Sequence, residues 1–389
     1  MAFLRALRDL FLSLRLTVVL LVLGMILIFV ATLDQVNLGI YGVQQKYFHA
    51  FFSVIRVGPL FVPFPGGYCI GGLLLINLIV AHVWRLKFTW RKTGIQLTHA
   101  GLILLLVGEL LSGLMQQSYT MRLTEGQTSN YSEHERNYEL AVIDTTDAKF
   151  DDVTAIPDKI LAQLEPIQHP PMPFRVVPRQ YFPNASLARR TDGAGTPASP
   201  ATQGIGPQVT VTSLPVTYRE DDRNVPAAYV ELVGAEGSLG TWLVSPDLGS
   251  PQTFTYAGHS WKIVFRPARA YKPYAITLLE TRHDVYPGTD IPKNFSSRIR
   301  IGTPGAADQR EVLIYMNNPL RYEGLTFYQY QMDPGHNTSV LQVVRNPGWI
   351  LPYIACSMMC LGLCVQFLFH LVGFIQKRRA APAAESAAA

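Results

Sequence analysis

Charge is scarce in this chain. Only 16% of its 389 residues are charged, against about a quarter in an ordinary soluble protein. Cysteine is scarcer still. Cys69, Cys356, Cys360 and Cys364 are the only four, and each lies within or beside an apolar run. The polar stretch 116–347 has none and so carries no disulfide framework. No CxxC, CxxCH or paired zinc-ligand spacing occurs. The chain is therefore neither a c-type cytochrome nor a thioredoxin-like oxidoreductase itself. A net charge of +5 invites a nucleic-acid reading. The cations, however, form no patch on one domain; they gather beside the apolar runs, as membrane topology requires. Nucleic acid is not an expected partner.

The apolar runs come next. A basic, amphipathic start with Arg5, Arg8 and Arg15 precedes an uncharged run at about 16–33, long enough to span a bilayer and read as an uncleaved helix. The aromatic-rich piece at about 47–57 is too short and polar to span and reads as an interfacial helix. FPGG marks a turn into a second run, 68–84, broken only by Asn77 and His82. Arg85, Lys87, Arg91 and Lys92 follow in a short loop, and a third run covers 95–115. A fourth, 349–375, ends at Lys377, Arg378 and Arg379, before a polar, Ala-rich tail over 376–389.

Between the third and fourth runs the character changes. Residues 116–348 are polar, rich in Pro and Gly, and read as strands: Tyr274–Glu280, Glu311–Met316, Thr326–Gln331 and Ser339–Val344 alternate and are bounded by turn signals. The tract 187–206 reads as a flexible loop dividing the region in two. The expected architecture is a membrane protein with four transmembrane α-helices, three N-terminal and one C-terminal, around a large β-rich extracytoplasmic domain. The positive-inside rule places both termini and the loop 85–92 in the cytoplasm.

With that topology His82, His99 and His370 fall near one depth, on three different helices. Imidazole is a common ligand of haem iron and transition metals. Each also reads as an ordinary interface histidine. Glu109, further along the third run, reads as a carboxyl bonded to Asn77 or to backbone. Cys356, Cys360 and Cys364, spaced i, i+4, i+8, read as a packing face. His134, His169, His259, His283 and His336 share no spacing and read as surface residues.

Four stretches resemble one family. They are the span ending in ATLDQ, FPGGYCIGGLLLINLIVAH, GIQLTHAGLILLLVGE, and KNFSSRIRI…EVLIYMNNPLRYEGLTFYQYQMDP…VVRNPGW. In that order they resemble the ResB family of system II cytochrome c biogenesis. The resemblance implies three helices, a large extracytoplasmic domain and a fourth helix in the inner membrane. It also implies a ResC/CcsA-type partner that carries a tryptophan-rich haem-handling segment. Trp84, Trp90, Trp242, Trp261 and Trp349 are scattered here, so this chain would be the ResB half alone. Together the two would move haem b across the membrane and attach it to the CxxCH thiols of apocytochrome c, as subunits of a cytochrome c synthase. His99 best matches the family's haem-ligating histidine, followed by His82 and then His370. Arg85, Lys87, Arg91 and Lys92 are candidate contacts for the haem propionates, or set topology only. The alternative is a scaffold that holds apocytochrome c while the partner binds all the haem.

Overall fold

The computed structural model describes residues 2–84, 89–190, 198–217, 223–289, 292–303, 305–306, 308–333, 335 and 337–387. The chain divides into two compact units. One comprises 1–117, 218–220 and 346–389, the other 118–217 and 221–345.

The first unit opens with a short amphipathic helix, α1 (Ala2–Phe11). Helix α2 (Leu14–Val43) is capped by Ser13, whose Oγ accepts from the Arg15 N–H at 3.2 Å. α2 outruns the expected span 16–33. It is interrupted at Gly39, where φ is +70°, and continues into a π turn over Gln44–Phe48. One carboxylate fixes this bend: Asp34 Oδ2 accepts from Lys46 Nζ at 2.7 Å and from the buried Tyr47 hydroxyl at 2.6 Å. An interfacial helix at 47–57 does not form. Instead β1 (Phe52–Val57) and β2 (Leu60–Pro65) make an antiparallel hairpin. The reason is local. Phe-Ser-Val-Ile-Arg-Val suits a pleated strand, and Gly58, at φ +60°, opens a two-residue loop with Pro59. α3 (Gly67–Trp84) follows at once. A methyl group on Gly66 or Gly67 would strike the carbonyls of Ala50 and Phe48, which explains the double glycine of FPGG. α4 (Thr93–Met115) is entered through a 3-10 turn, Trp90–Lys92.

The second unit is built on β3 (Gln117–Thr124), β4 (Thr128–Asp144), β5 (Asp152–Pro157), a one-turn helix α5 (Asp158–Leu161), β6 (Arg175–Phe182), β7 (Ala185–Arg189) and β8 (Val209–Ser213). It continues with β9 (Ala227–Gly234), β10 (Gly237–Val244), β11 (Gln252–Tyr256), β12 (His259–Val285), β13 (Pro292–Gly302), β14 (Arg310–Tyr315), β15 (Leu320–Tyr322), β16 (Leu325–Asp333) and β17 (Thr338–Arg345). Ten strands share one sheet in the order β14-β13-β12-β4-β3-β17-β16-β15, with β5 and β11 paired to β4 and β12. A second sheet, β10-β9-β6, covers one half of the first.

The 27-residue β12 belongs to two cores. Its first half sends Trp261, Ile263 and Phe265 into one core, against Val230, Leu232 and Val244. Its second half sends Tyr274, Ile276 and Leu278 into another, with Ile299, Ile314 and Phe327. The inward positions change from odd to even along the strand. Irregularities at Pro267/Arg269 and Tyr271/Ile276 make that change possible, because one extra residue flips the facing of all that follow.

The tract 187–206 is tied down where it is described. Leu187–Arg189 lie in β7, paired with β8. Ala201 is buried, and the Thr202 N–H donates to Thr241 O at 2.8 Å. Its small residues read as a loop in sequence because they pack by close backbone approach: a methyl on Gly206 would strike the Ala201 Cβ.

α6 (Leu351–Ala387) closes the chain and the first unit. Among the described residues four segments are long and apolar enough to cross a membrane: Leu14–Phe48, Gly67–Trp84, Trp90–Met115 and Leu351–Gln376. Their outward faces stay apolar, with Val18, Met25, Phe29, Leu363 and Phe367 exposed, as lipid contact requires.

Lys272 lies at the break in β12 and is 8% exposed. Its Nζ donates to Ser132 Oγ at 2.7 Å and to Ala270 O at 3.2 Å. Burial pushes its pKa down to about 8 from an ordinary 10.5. Between those values the unfolded chain binds the extra proton and the folded one does not, so this residue's contribution to stability rises with pH. Lys272→Met should stabilise the full chain at pH 7 by on the order of 1 kcal/mol. That advantage should shrink between pH 8 and 10.5. Thermal unfolding of the solubilised protein across this range checks it; an offset independent of pH would contradict it.

Candidate functional site

The site starts from how α4 and α6 meet. Gly94, Gly101 and Gly108, seven residues apart, are the buried positions of α4. A methyl on Gly94 would lie 2.6 Å from Gly362 O, one on Gly101 2.8 Å from Ala355 O, and one on Gly108 3.0 Å from the Leu351 Cβ. The helices are therefore antiparallel and in backbone contact, as small residues permit in membranes. Leu351, Ala355, Met359, Gly362 and Gln366 form the contacting face of α6. Cys356, Cys360 and Cys364 do not belong to it. All three are exposed, because Cys356 and Cys360 lie one residue past a seam position and Cys364 two, about 100° and 160° round the helix from it.

With one face of α4 committed to α6, His99 points elsewhere. It lies five residues, or about 140°, round the helix from Gly94. Its ring stands 6.5 Å from that of His82 on α3, with planes tilted by 37°. His99 Nδ1 lies 2.7 Å from Ile95 O. A carbonyl only accepts, so Nδ1 carries the proton and Nε2 keeps its lone pair for a ligand. His82 Nδ1 is buried and has no hydrogen-bond partner. Three further buried oxygens on α4 and α6 are also unpartnered: Thr93 Oγ1, Gln96 Oε1 and Gln366 Oε1. Buried polar groups are normally satisfied, so this end of the bundle is short of polar partners. Two imidazoles binding one metal ion in line have centroids on the order of 6 Å apart, with metal–nitrogen bonds near 2.0 Å. The observed ring spacing is of that size, and among the described residues no third His, Cys, Asp or Glu joins the two in a metal-binding group.

His370 is not part of this pair. The antiparallel seam sets Gly101 against Ala355 and Met359, so His99 is roughly level with position 359. His370 lies eleven residues further along α6, about 16 Å by helical rise. It is exposed, with Nε2 2.9 Å from Gln366 Nε2. The common depth expected for three histidines therefore holds for two. Sequence counting measured each histidine from its own helix end, whereas α6 extends well past the start of α4.

Arg91 and Lys92 are exposed on the 3-10 turn before α4. Lys92 precedes His99 by seven residues, two turns on nearly the same face and about 10 Å away. Arg85 and Lys87 lie outside the described residues. Glu109 is exposed and does not bond to Asn77. Asn77 is buried and occupied instead by Thr17 Oγ1 at 2.7 Å and Phe11 O at 2.6 Å. Gln96 and Gln366 escaped sequence reading, although glutamine inside an apolar span is a visible signal.

The β-rich unit holds two half-open pockets. A cavity of about 230 Å³ is lined by Ser245, Gln252, Phe265, Arg266 and Arg269 with Glu133. A second of about 260 Å³ shares Glu133 and includes Arg122 and Tyr131. Two of their cations, Arg266 and Arg269, are matched. Arg266 Nε donates to Glu139 at 3.0 Å, both side chains buried, and Arg269 Nε donates to Glu133 at 3.1 Å while lying over the Tyr131 ring. Of the external histidines, expected at the surface, His259 is exposed, whereas His134 and His283 are partly buried. His134 Nδ1 accepts from the N–H groups of Arg136 and Asn137, and burial pushes its pKa down. His259 contacts Asp144 at 2.7 Å, and His283 stacks on Phe295. His169 is exposed, and His336 lies outside the described residues.

Comparison with known proteins adds a family. Residues 237–339 match the ResB-like family. A 101-residue stretch is 27% identical to Protein NrfI of Wolinella succinogenes, covering 26% of this chain and 11% of that protein. The chain thus matches about a tenth of that relative's length. The family match lies in the β-rich unit, from β10 into β17, and includes Arg266, Arg269 and Lys272.

The glycine seam orients His99, so filling it should disturb the site. Gly101→Leu should destabilise the protein by on the order of 2 kcal/mol. Gly72→Leu, where nothing lies within 4 Å of the added carbon, should be close to neutral. Thermal unfolding of the solubilised variants decides it; equal effects at the two positions would refute the seam.

Proposed function

We propose that this chain, whose residues 237–339 match the ResB-like family, serves cytochrome c biogenesis by holding haem for delivery and covalent attachment to apocytochrome c. The observation that carries the reading is the His82–His99 pair, two rings 6.5 Å apart with one free Nε2 and one unpartnered Nδ1. When bound, haem supplies the vinyl groups that become thioether bonds. His99 and His82 would hold its iron. Lys92 and Arg91 neutralise its carboxylates from the turn before α4, in charge-assisted bonds. The apolar helices keep water from the ring. His370, 16 Å away on this account, takes no part in the same site.

The reading includes a partner of the ResC/CcsA type, since thioether formation needs haem and two thiols held together and this chain has no tryptophan-rich segment. It also includes sidedness. Arg5, Arg8, Arg15, Arg91 and Lys92 face the cytoplasm and the β-rich unit the opposite side, by the positive-inside rule. A second reading has one observation in its favour. The family match falls wholly in the β-rich unit and not on the helices that carry His82 and His99. On that reading the chain is a scaffold for apocytochrome c and the partner binds all the haem.

Haem content separates the two. The full chain purified with its partner should show a Soret band that falls at least tenfold in His99→Ala and clearly in His82→Ala, at equal protein yield. It should persist in His370→Ala. An unchanged band in both of the first two variants leaves the scaffold reading standing and removes haem binding from this chain.

A further inference from the structure

The widest of the described cavities lies in neither the histidine site nor the β-rich unit. It is an open cleft of about 540 Å³, lined by Leu12, Ser13, Leu14, Arg15 and Trp84. It opens where α1 passes into α2, beside the end of α3. Its walls are apolar except for Ser13 and one guanidinium. The Ser13 hydroxyl is engaged in capping α2. Among the described residues of the lining, Arg15 carries the only charge. The carboxylate on the nearby helix, Asp9, is taken by Arg8 at 2.8 Å.

The mouth of this cleft is held in place. Asn77 is 5% exposed; its amide donates to Phe11 O, the last residue of α1, and its oxygen accepts from Thr17 in the first turn of α2. Trp84 stands seven residues beyond Asn77 on the same face of α3. The linker Leu12–Ser13 is therefore pinned against the helix that supplies the indole wall. Trp84 and Leu14 remain largely exposed.

We propose that this cleft binds the headgroup of an acidic phospholipid, with Arg15 on the phosphate and Leu12, Leu14 and Trp84 against the glycerol and first methylenes. An unpaired cation, an indole and leucines at the end of a membrane span suit an amphiphile that is anionic at one end and apolar at the other. Lipid is favoured over haem by geometry. His82 points about 140° around α3 from Asn77, so a ring held between His82 and His99 lies on the opposite side of α3 from Arg15. Asn77 acts as a positioning residue for the cleft and touches no ligand.

Delipidated full-length protein, titrated with phosphatidylglycerol or phosphatidylcholine and followed by native mass spectrometry, tests the site. Wild type should prefer phosphatidylglycerol. Arg15→Gln should lose that preference by about fivefold, the worth of one cation near an anionic headgroup. Trp84→Ala should weaken both lipids, and Arg5→Gln, outside the lining, should keep wild-type preference. Equal binding of the two lipids by wild type, or an Arg15→Gln variant that retains the preference, overturns the proposal. Haemin displacing phosphatidylglycerol from wild type but not from Arg15→Gln would reassign the cleft to haem and also overturn it.

Discussion

The close approach of α4 and α6 is the constraint on which the helical unit depends. Three glycines at a seven-residue spacing let one backbone lie against another, and nothing larger fits at Gly94 or Gly101. Once that face of α4 is used, the remaining faces are decided. His99 turns toward α3 and meets His82, Glu109 turns outward, and the cysteines of α6 look away from the bundle. Membrane helices gain little from burying apolar surface against one another, because lipid is equally apolar. Contact geometry and polar groups therefore carry the specificity. Asn77 does for α1 and α2 what the glycines do for α6: one buried amide joins two helices and the linker between them.

The β-rich unit solves a different problem with one long strand. β12 crosses from one core to the other and changes its inward parity on the way. Pro267 and Pro273 sit in that crossing, where a ladder hydrogen bond is already given up. Lys272 sits there too, buried with a hydroxyl and a carbonyl as its partners. The crossing falls within the segment that matches the ResB-like family.

Much of this was legible in the sequence, and the misses have physical causes. Apolar length and basic flanks gave four segments able to cross a membrane, and alternation gave the strands around Tyr274, Val312, Phe327 and Val343. The length of β12 was hidden, because two prolines inside a strand read as breaks. Residues 47–57 read as a helix, because aromatic content outweighed the Gly58–Pro59 turn that makes a hairpin of them. The histidine pair was legible as two polar residues near facing helix ends. His370 was misplaced, because depth along a helix depends on which residues of its neighbour it touches. The seam was not read at all: Gly94, Gly101 and Gly108 look like ordinary small residues until their spacing is set against α6. Gln96 and Gln366, beside the site, were passed over for the same reason, since burial decides whether an amide in a span is satisfied or waiting for a partner.

The central claim is that His82 and His99 form one site and act on the same iron. Low-temperature electron paramagnetic resonance of the ferric, haem-loaded complex tests this most directly. The account predicts a low-spin spectrum of two imidazole ligands in wild type that converts to a high-spin form in His82→Ala with haem still bound. A low-spin spectrum unchanged in His82→Ala would contradict it, because the second ligand would then come from elsewhere.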